Sequence, residues 1–281
     1  MQRPFRQVDV FGQDPYTGNP VAVILDAAGL DDDALRAFSV WSNLSECTFV
    51  LPPTDPGADY RVRIFNLAVE LPFAGHPTLG TARAWLDAGG VPHTTGTVIQ
   101  ECGVGLVPVR IDGELLSFAA PPRIRSGAVD AELTAEVADI LGIAVDDIVA
   151  AEWLDNGPGW IGILLADDQA VLRVTPDASG HPGPWDIGVL GPIAGEPGGP
   201  VVEVRGFFTD GRGPLIEDPV TGSLNASIAQ WLTESGRASA PYAARQGTAL
   251  GRKGLIEVVA ADGDLWIGGR THVALSGIAD L

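Results

Sequence analysis

The sequence predicts an α+β protein built as two similar lobes, and three observations carry that prediction. First, one stretch is written twice. Glu70-Leu71-Pro72-Phe73-Ala74-Gly75-His76-Pro77 opens a segment running to Leu86. Glu217-Asp218-Pro219-Val220-Thr221-Gly222-Ser223 opens another running to Leu232, half a chain later. Aligned without a gap, they share Glu70/Glu217, Pro72/Pro219, Gly75/Gly222 and Ala82/Ala229, and a slip of one residue adds Trp85/Trp231 and Leu86/Leu232. Second, Asp112-Gly113-Glu114-Leu115 returns as Asp262-Gly263-Asp264-Leu265 at nearly the same spacing. So long a period means two related lobes, since solenoid repeats run to about 20–50 residues. Third, the strand-like and helix-like segments do not follow the regular βαβ alternation of a Rossmann sheet.

The elements come in this order. Gln7 to Phe11 alternates like a strand, Asp14 to Pro20 is a turn cluster, and Val21 to Leu25 is a short buried strand. Asp31, Asp32 and Asp33 sit where a helix N-terminus favours negative charge. Leu35, Phe38 and Trp41 continue that helix as core residues, and Asn43 closes it. Ser45 to Val50 is a strand with Glu46 near its start, and Tyr60 to Asn66 is the next. Strands around Val98 to Ile111 and Leu115 to Ala119 complete the first lobe. The second opens with a helix over Ala131 to Leu141, then strands over Trp153 to Leu165 and Val201 to Phe208. Pro176 to Pro200 reads as loop, with one helical turn at Trp185 to Leu190. Leu255 to Ala260 and Leu265 to Ile267 form a final hairpin.

Each copy of the repeat reads as a loop feeding a helix. Pro77 suits a first turn, where it has no N–H to leave unpaired, and Ser223 is the expected N-cap of the second copy. Helix starts present unpaired N–H groups and the positive end of a dipole, so they suit a carboxylate or phosphate. Two of them related by a pseudo-twofold are expected to face one another across a cleft.

Composition narrows the chemistry. The chain has 281 residues, 17 Lys+Arg against 36 Asp+Glu, and a formal net charge of −19. So acidic a surface repels phosphate backbones, which argues against a nucleic-acid partner. Lys253 is the only lysine and sits in a polar turn, poorly suited to Schiff-base chemistry. Cys47 and Cys102 form no metal or redox spacing, and His76, His93, His181 and His272 are scattered. No signal pattern or apolar run of membrane-crossing length appears, so the expectation is a soluble, cytoplasmic protein with no membrane partner.

Ser45-Glu46-Cys47-Thr48-Phe49-Val50, the two copies of the repeat, Val8-Asp9-Val10-Phe11 and Gly18-Asn19-Pro20-Val21 together resemble the PhzF-like isomerases of phenazine biosynthesis. The motifs span essentially the whole chain. The resemblance implies a diaminopimelate epimerase-like fold, each lobe a curled, mainly antiparallel sheet around a central helix. Residues 1–120, joined by 271–281, would carry Glu46 and His76; residues 121–270 would carry Asp218 and Ser223. It also implies a cofactor-free homodimer acting on a small carboxylic acid. Glu46 corresponds to the acid/base group, His76 and Asp218 to groups that position substrate and proton, and Gly75 and Ser223 to helix-start contacts. Gly222 and Asn19 complete the expected substrate-binding set, with Thr78 and Asn225 as supporting residues. Cys47 stands where the family commonly has Thr or Ala, and Asn66-Leu67-Ala68 replaces a more usual Thr-Pro run.

The residues themselves favour one mechanism. Epimerases of this fold place a cysteine before each helix-start glycine, whereas here those positions are Ala74 and Thr221. Neither is a thiol base. A single carboxylate, with its pKa raised by burial, moves a proton on one face of an unsaturated or cyclic acid. An epimerase with other bases and a non-catalytic binding protein remain the alternatives.

Overall fold

A computed structural model describes residues 1–195, 198–209 and 214–281. It contains two compact units, Met1–Ala119 with Gly268–Leu281, and Ala120–Ile267. In chain order the first holds β1 (Gln2–Val10), β2 (Asn19–Ile24), α1 (Asp32–Ser42), β3 (Glu46–Leu51), β4 (Tyr60–Asn66) and β5 (Glu70–Leu71). Then come α2 (Gly75–Asp87), β6 (Thr97–Cys102), β7 (Gly105–Asp112) and β8 (Leu115–Ala119). The second holds α3 (Ala131–Leu141), β9 (Ala150–Trp153), β10 (Ile161–Leu164), α4 (Asp168–Arg173), β11 (Asp186–Pro192) and β12 (Val202–Phe208). It continues through β13 (Ile216–Asp218), α5 (Gly222–Glu234), β14 (Tyr242–Gln246) and β15 (Gly254–Ala261). The last strand, β16 (Asp264–Asp280), starts in the second unit and ends in the first.

The first unit's strands run β1-β2-β3-β4-β6-β7-β8, with β5 hung on β4. β16 neighbours β8 and also pairs with β1 from Gln2↔Asp280 to Val10↔Thr271, so the sheet closes on itself. Pairings are antiparallel except β2–β3 and β4–β6. A parallel pair needs a crossover, and α1 and α2 supply the two. The sheet wraps α2, which buries Gly75 through Ala82 and Ala84. Gly80 permits the approach, since a Cβ there would stand 2.2 Å from Cγ1 of Val21. α1 covers the outer face, where Leu35 joins Ala22, Cys47, Phe49 and Phe65. Asp31 caps it by accepting from the Ala34 N–H at 2.9 Å, and Asn43 ends it in the left-handed region at φ 55°.

The second unit repeats this plan. Its order is β15-β14-β12-β11-β10-β9, with β13 hung on β12, and its parallel pairs are β10–β11 and β12–β14. Their crossovers are α4 and α5. α5 is the buried helix, with Gly222, Leu224 through Ala229, Trp231 and Leu232 inside. α3 and α4 lie on the opposite face over Ile161, Ile163, Ile187, Val189 and Phe207. Gly188 has its own reason: a Cβ there would stand 2.4 Å from Cδ1 of Leu224.

The structure corrects several sequence expectations. Trp41 is not core; it is 82% exposed. At about 100° per residue it lies roughly 240° around the helix from Leu35, away from the sheet. The loop expected over Pro176 to Pro200 contains β11, a full strand where one helical turn was expected at Trp185 to Leu190; residues 196–197 of that stretch lie outside the described residues. Gly188, Gly191 and Pro192 disguised the strand, although its buried apolar residues alternate between two packed faces. Trp153 to Leu165 is two strands, separated by a turn whose carboxylate Asp155 accepts from the N–H groups of Gly157 and Gly159. α4 and β14 went unread. No helix among the described residues is long and apolar enough to cross a membrane.

Candidate functional site: two uncapped helix starts

The helices α1, α3 and α4 each begin with an aspartate that caps a backbone N–H: Asp31, Asp130 and Asp167. The two buried helices differ. α2 starts after Ala74 and α5 after Thr221, and neither has a side-chain cap. A capping carboxylate would neutralise the positive helix end, so its absence leaves both starts suited to an anionic ligand.

Within the first unit, the structure brings Glu46, His76 and Asn19 together. Glu46 begins β3, and His76 is the second residue of α2. Their closest atoms, Glu46 Oε2 and His76 Nε2, lie 3.4 Å apart. His76 is 4% exposed, and burial pushes its pKa down to about 3. The pair is therefore a neutral imidazole beside a carboxyl group, not an ion pair.

The other ring nitrogen faces the Asn19 amide. Asn19 Nδ2 lies 3.4 Å from His76 Nδ1, and Asn19 Oδ1 accepts from the Ser45 hydroxyl at 3.4 Å. With the amide nitrogen donating to Nδ1, the ring proton resides on Nε2, facing Glu46. Asn19 is aimed by the preceding turn, where buried Asp9 accepts from the N–H groups of Thr17 and Gly18. Thr78 is a supporting residue: its hydroxyl accepts from Gln100 Nε2 at 2.9 Å.

The second unit gathers Asp218, Gly222, Ser223 and Asn225 around the start of α5. Gly222 is the first residue of that helix, as Gly75 is of α2. Ser223 is not the N-cap as expected; Thr221 holds that place. Asp218 is 7% exposed and its Oδ2 accepts from the Thr221 hydroxyl at 2.8 Å. Gln246 organises the rest. Its Oε1 accepts from the Thr221 N–H at 3.0 Å and from Asn225 Nδ2 at 2.7 Å. Its Nε2 donates to the Asp218 carbonyl at 3.1 Å and to Thr221 Oγ1 at 2.9 Å. A backbone N–H only donates, so the glutamine orientation is fixed, and with it the proton of Thr221, which points to Asp218. Ser223 Oγ accepts from the indole N–H of Trp160 at 3.0 Å, which keeps the serine's own proton to give. Asn156 Nδ2 donates to the Ser223 carbonyl at 2.9 Å.

Sequence reasoning missed Gln246, Trp160 and Asn156. None lies in the repeated stretch, and only the folded sheet brings them to the start of α5. The carboxyl of Asp186 is pushed up to about 7 by burial and, secondly, by the nearby charge of Asp155.

Comparison with known proteins places this geometry in context. The model of the phenazine biosynthesis-like (PhzC-PhzF) family matches residues 8–279. Antisense-enhancing sequence 1 of Schizosaccharomyces pombe is 34% identical over 98% of either chain. The trans-2,3-dihydro-3-hydroxyanthranilate isomerase of Pseudomonas fluorescens is 32% identical, over 89% of this chain and 87% of its own length. The crystal structure of a PhzF-family protein from Enterococcus faecalis superimposes with a TM-score of 0.83 over the whole of both chains, at 24% identity.

Proposed function

Because this chain belongs to the phenazine biosynthesis-like PhzC-PhzF family and is an isomerase, we propose that it moves a proton within a small unsaturated or cyclic carboxylic acid, with Glu46 as general acid/base and no cofactor. Its fold is the diaminopimelate epimerase-like fold that the resemblance implies. The observation that carries the proposal is the contact of Glu46 with a buried, neutral His76 at 3.4 Å.

A neutral imidazole at this distance carries no charge to neutralise the carboxylate, so Glu46 keeps its basicity. Each unit offers donors at an uncapped helix start, Gly75 in the first and Gly222 with the Ser223 hydroxyl in the second, and such an end suits a carboxylate. Asp218, a hydrogen-bond acceptor held by Thr221, suits a hydroxyl or amino substituent. Ala74 and Thr221 leave the first turns of α2 and α5 without the thiol pair of the cysteine epimerases. We place the enzyme in the cytoplasm as a homodimer, on family expectation.

The test replaces Glu46 by Gln. With trans-2,3-dihydro-3-hydroxyanthranilate, the acid named for the Pseudomonas relative, turnover should nearly vanish while affinity for the acid changes little. If that acid is not turned over by the native enzyme, hydrogen exchange into other small cyclic acids in deuterated water gives the same comparison. A variant that keeps near-native rates ends the proposal.

A further inference from the structure

Gly222 opens α5, and Leu232 lies near the other end of that helix, about 15 Å away along its axis. There the second unit holds a cavity of about 440 Å³, within the size range of ligand pockets. Leu164, Leu165, Val202 and Leu232 give it apolar walls. Val149 and Val201 also line it, and they are 59% and 39% exposed.

The polar side chains of the lining can all donate, and no carboxylate is among the described residues there. Arg237 and Ser239 lie in the connection from α5 to β14, and Tyr242 opens β14. Among the described residues the Arg237 guanidinium makes no ion pair or hydrogen bond. It lies over the Trp231 ring, 5.1–6 Å being the usual reach of such a contact, at 5.5 Å from the ring centre. The hydroxyls of Ser239 and Tyr242 likewise have no hydrogen-bond partner among the described residues. Burial pushes the Tyr242 pKa up, so that phenol keeps its proton.

An unpaired cation stands out in a chain of formal net charge −19. Glu152 shares a neighbouring groove with Arg237, but its carboxylate accepts from the Gly127 N–H at 2.7 Å. A cation also complements the C-terminal end of α5, where the Leu232 carbonyl accepts from the N–H groups of Arg237 and Ala238. That role alone explains neither the apolar cavity nor the two hydroxyls beside it.

We propose that this cavity is a second ligand site, taking a small amphipathic monocarboxylate whose carboxylate meets Arg237 while its hydrocarbon part fills the cavity. The hydrocarbon gains by leaving water, and the guanidinium fork matches a carboxylate with two parallel hydrogen bonds. The acidic surface repels ligands of high negative charge, so a single charge on a large apolar body suits the site. A neutral ligand leaves Arg237 unmatched. The site does not depend on the chemistry proposed for Glu46.

Sodium octanoate is the probe, with 1-octanol and octylammonium as neutral and cationic controls of the same chain length. Isothermal titration should show octanoate saturating a single site per chain, octanol at least about tenfold weaker, and octylammonium not binding. Methyl NMR should shift the signals of Leu164, Leu165, Val202 and Leu232 and leave Leu224, near the start of α5, in place. Arg237→Gln should weaken octanoate at least about tenfold and Arg237→Lys should recover part of it, with circular dichroism showing both variants folded. Ser223→Ala, altered at the other end of α5, should bind octanoate as the native chain does. Binding lost in Ser223→Ala and kept in Arg237→Gln would place the anion at the helix start and overturn the assignment. Octanoate that fails to saturate overturns it too, whether the cavity takes no ligand or a second copy of the chain covers it.

Discussion

The start of α2 sets the imidazole of His76 3.4 Å from Glu46, whereas the start of α5 locks Asp218 and Thr221 into a network centred on Gln246. The two helices share their leading glycine, their missing cap and their place as crossover between parallel strands. They differ in the residue after the glycine: an ionisable His76 in one and Ser223 in the other. A repeated backbone therefore supplies two uncapped helix starts with different side chains. In the proposed function, the first unit supplies the proton-transfer pair and the second the groups that hold the substrate.

The largest effect expected from that division is at His76. His76→Asn should lower kcat about 100- to 1,000-fold with KM little changed, while Ser223→Ala should act mainly on KM. Steady-state kinetics of the pair reads the contrast, and equal kcat losses would erase it.

Next comes stability against pH. The folded-state pKa of His76 is depressed by burial to about 3 from the ordinary histidine value of 6.5. Between those values the unfolded chain binds a proton that the folded chain refuses. The stabilisation is present above 6.5 and is lost as pH falls towards 3. At pH 4.5 the loss from this group should be roughly 2–3 kcal/mol. His76→Gln should show a correspondingly flatter denaturant-measured stability between pH 7 and 4.5, and an unchanged slope would contradict the buried neutral histidine.

A smaller effect separates the Thr221 hydroxyl from its bulk. Thr221→Val removes a charge-assisted bond to Asp218 and should cost about 1.5–3 kcal/mol of stability, with Thr221→Ser restoring most of it. Trp160→Phe should cost least, about 1 kcal/mol or a several-fold rise in KM, because it removes one neutral hydrogen bond to Ser223.

Much of this was legible in the sequence because glycine, proline and cap residues act locally. The α3 span Ala131–Leu141 and β4 span Tyr60–Asn66 match the expectation, and Asn43 ends α1 as read. Glu46 and His76, far apart in sequence, came from the family pattern, and the fold does set them side by side. The features that escaped were nonlocal. β11 looks like loop because Gly188 makes room for Leu224, a constraint visible only when the helix lies on the sheet. Trp41 needed the sheet's position to be known before its side of the helix meant anything.

The most direct measurement of the central claim is deuterium wash-in. Bound trans-2,3-dihydro-3-hydroxyanthranilate, or the acid that the exchange screen identifies, is followed by proton NMR in deuterated water with native enzyme and with Glu46→Gln. The expected result is deuterium at a ring carbon with the native enzyme and none with the variant, which still binds the acid. Exchange at the native rate in Glu46→Gln would show that another group takes the proton.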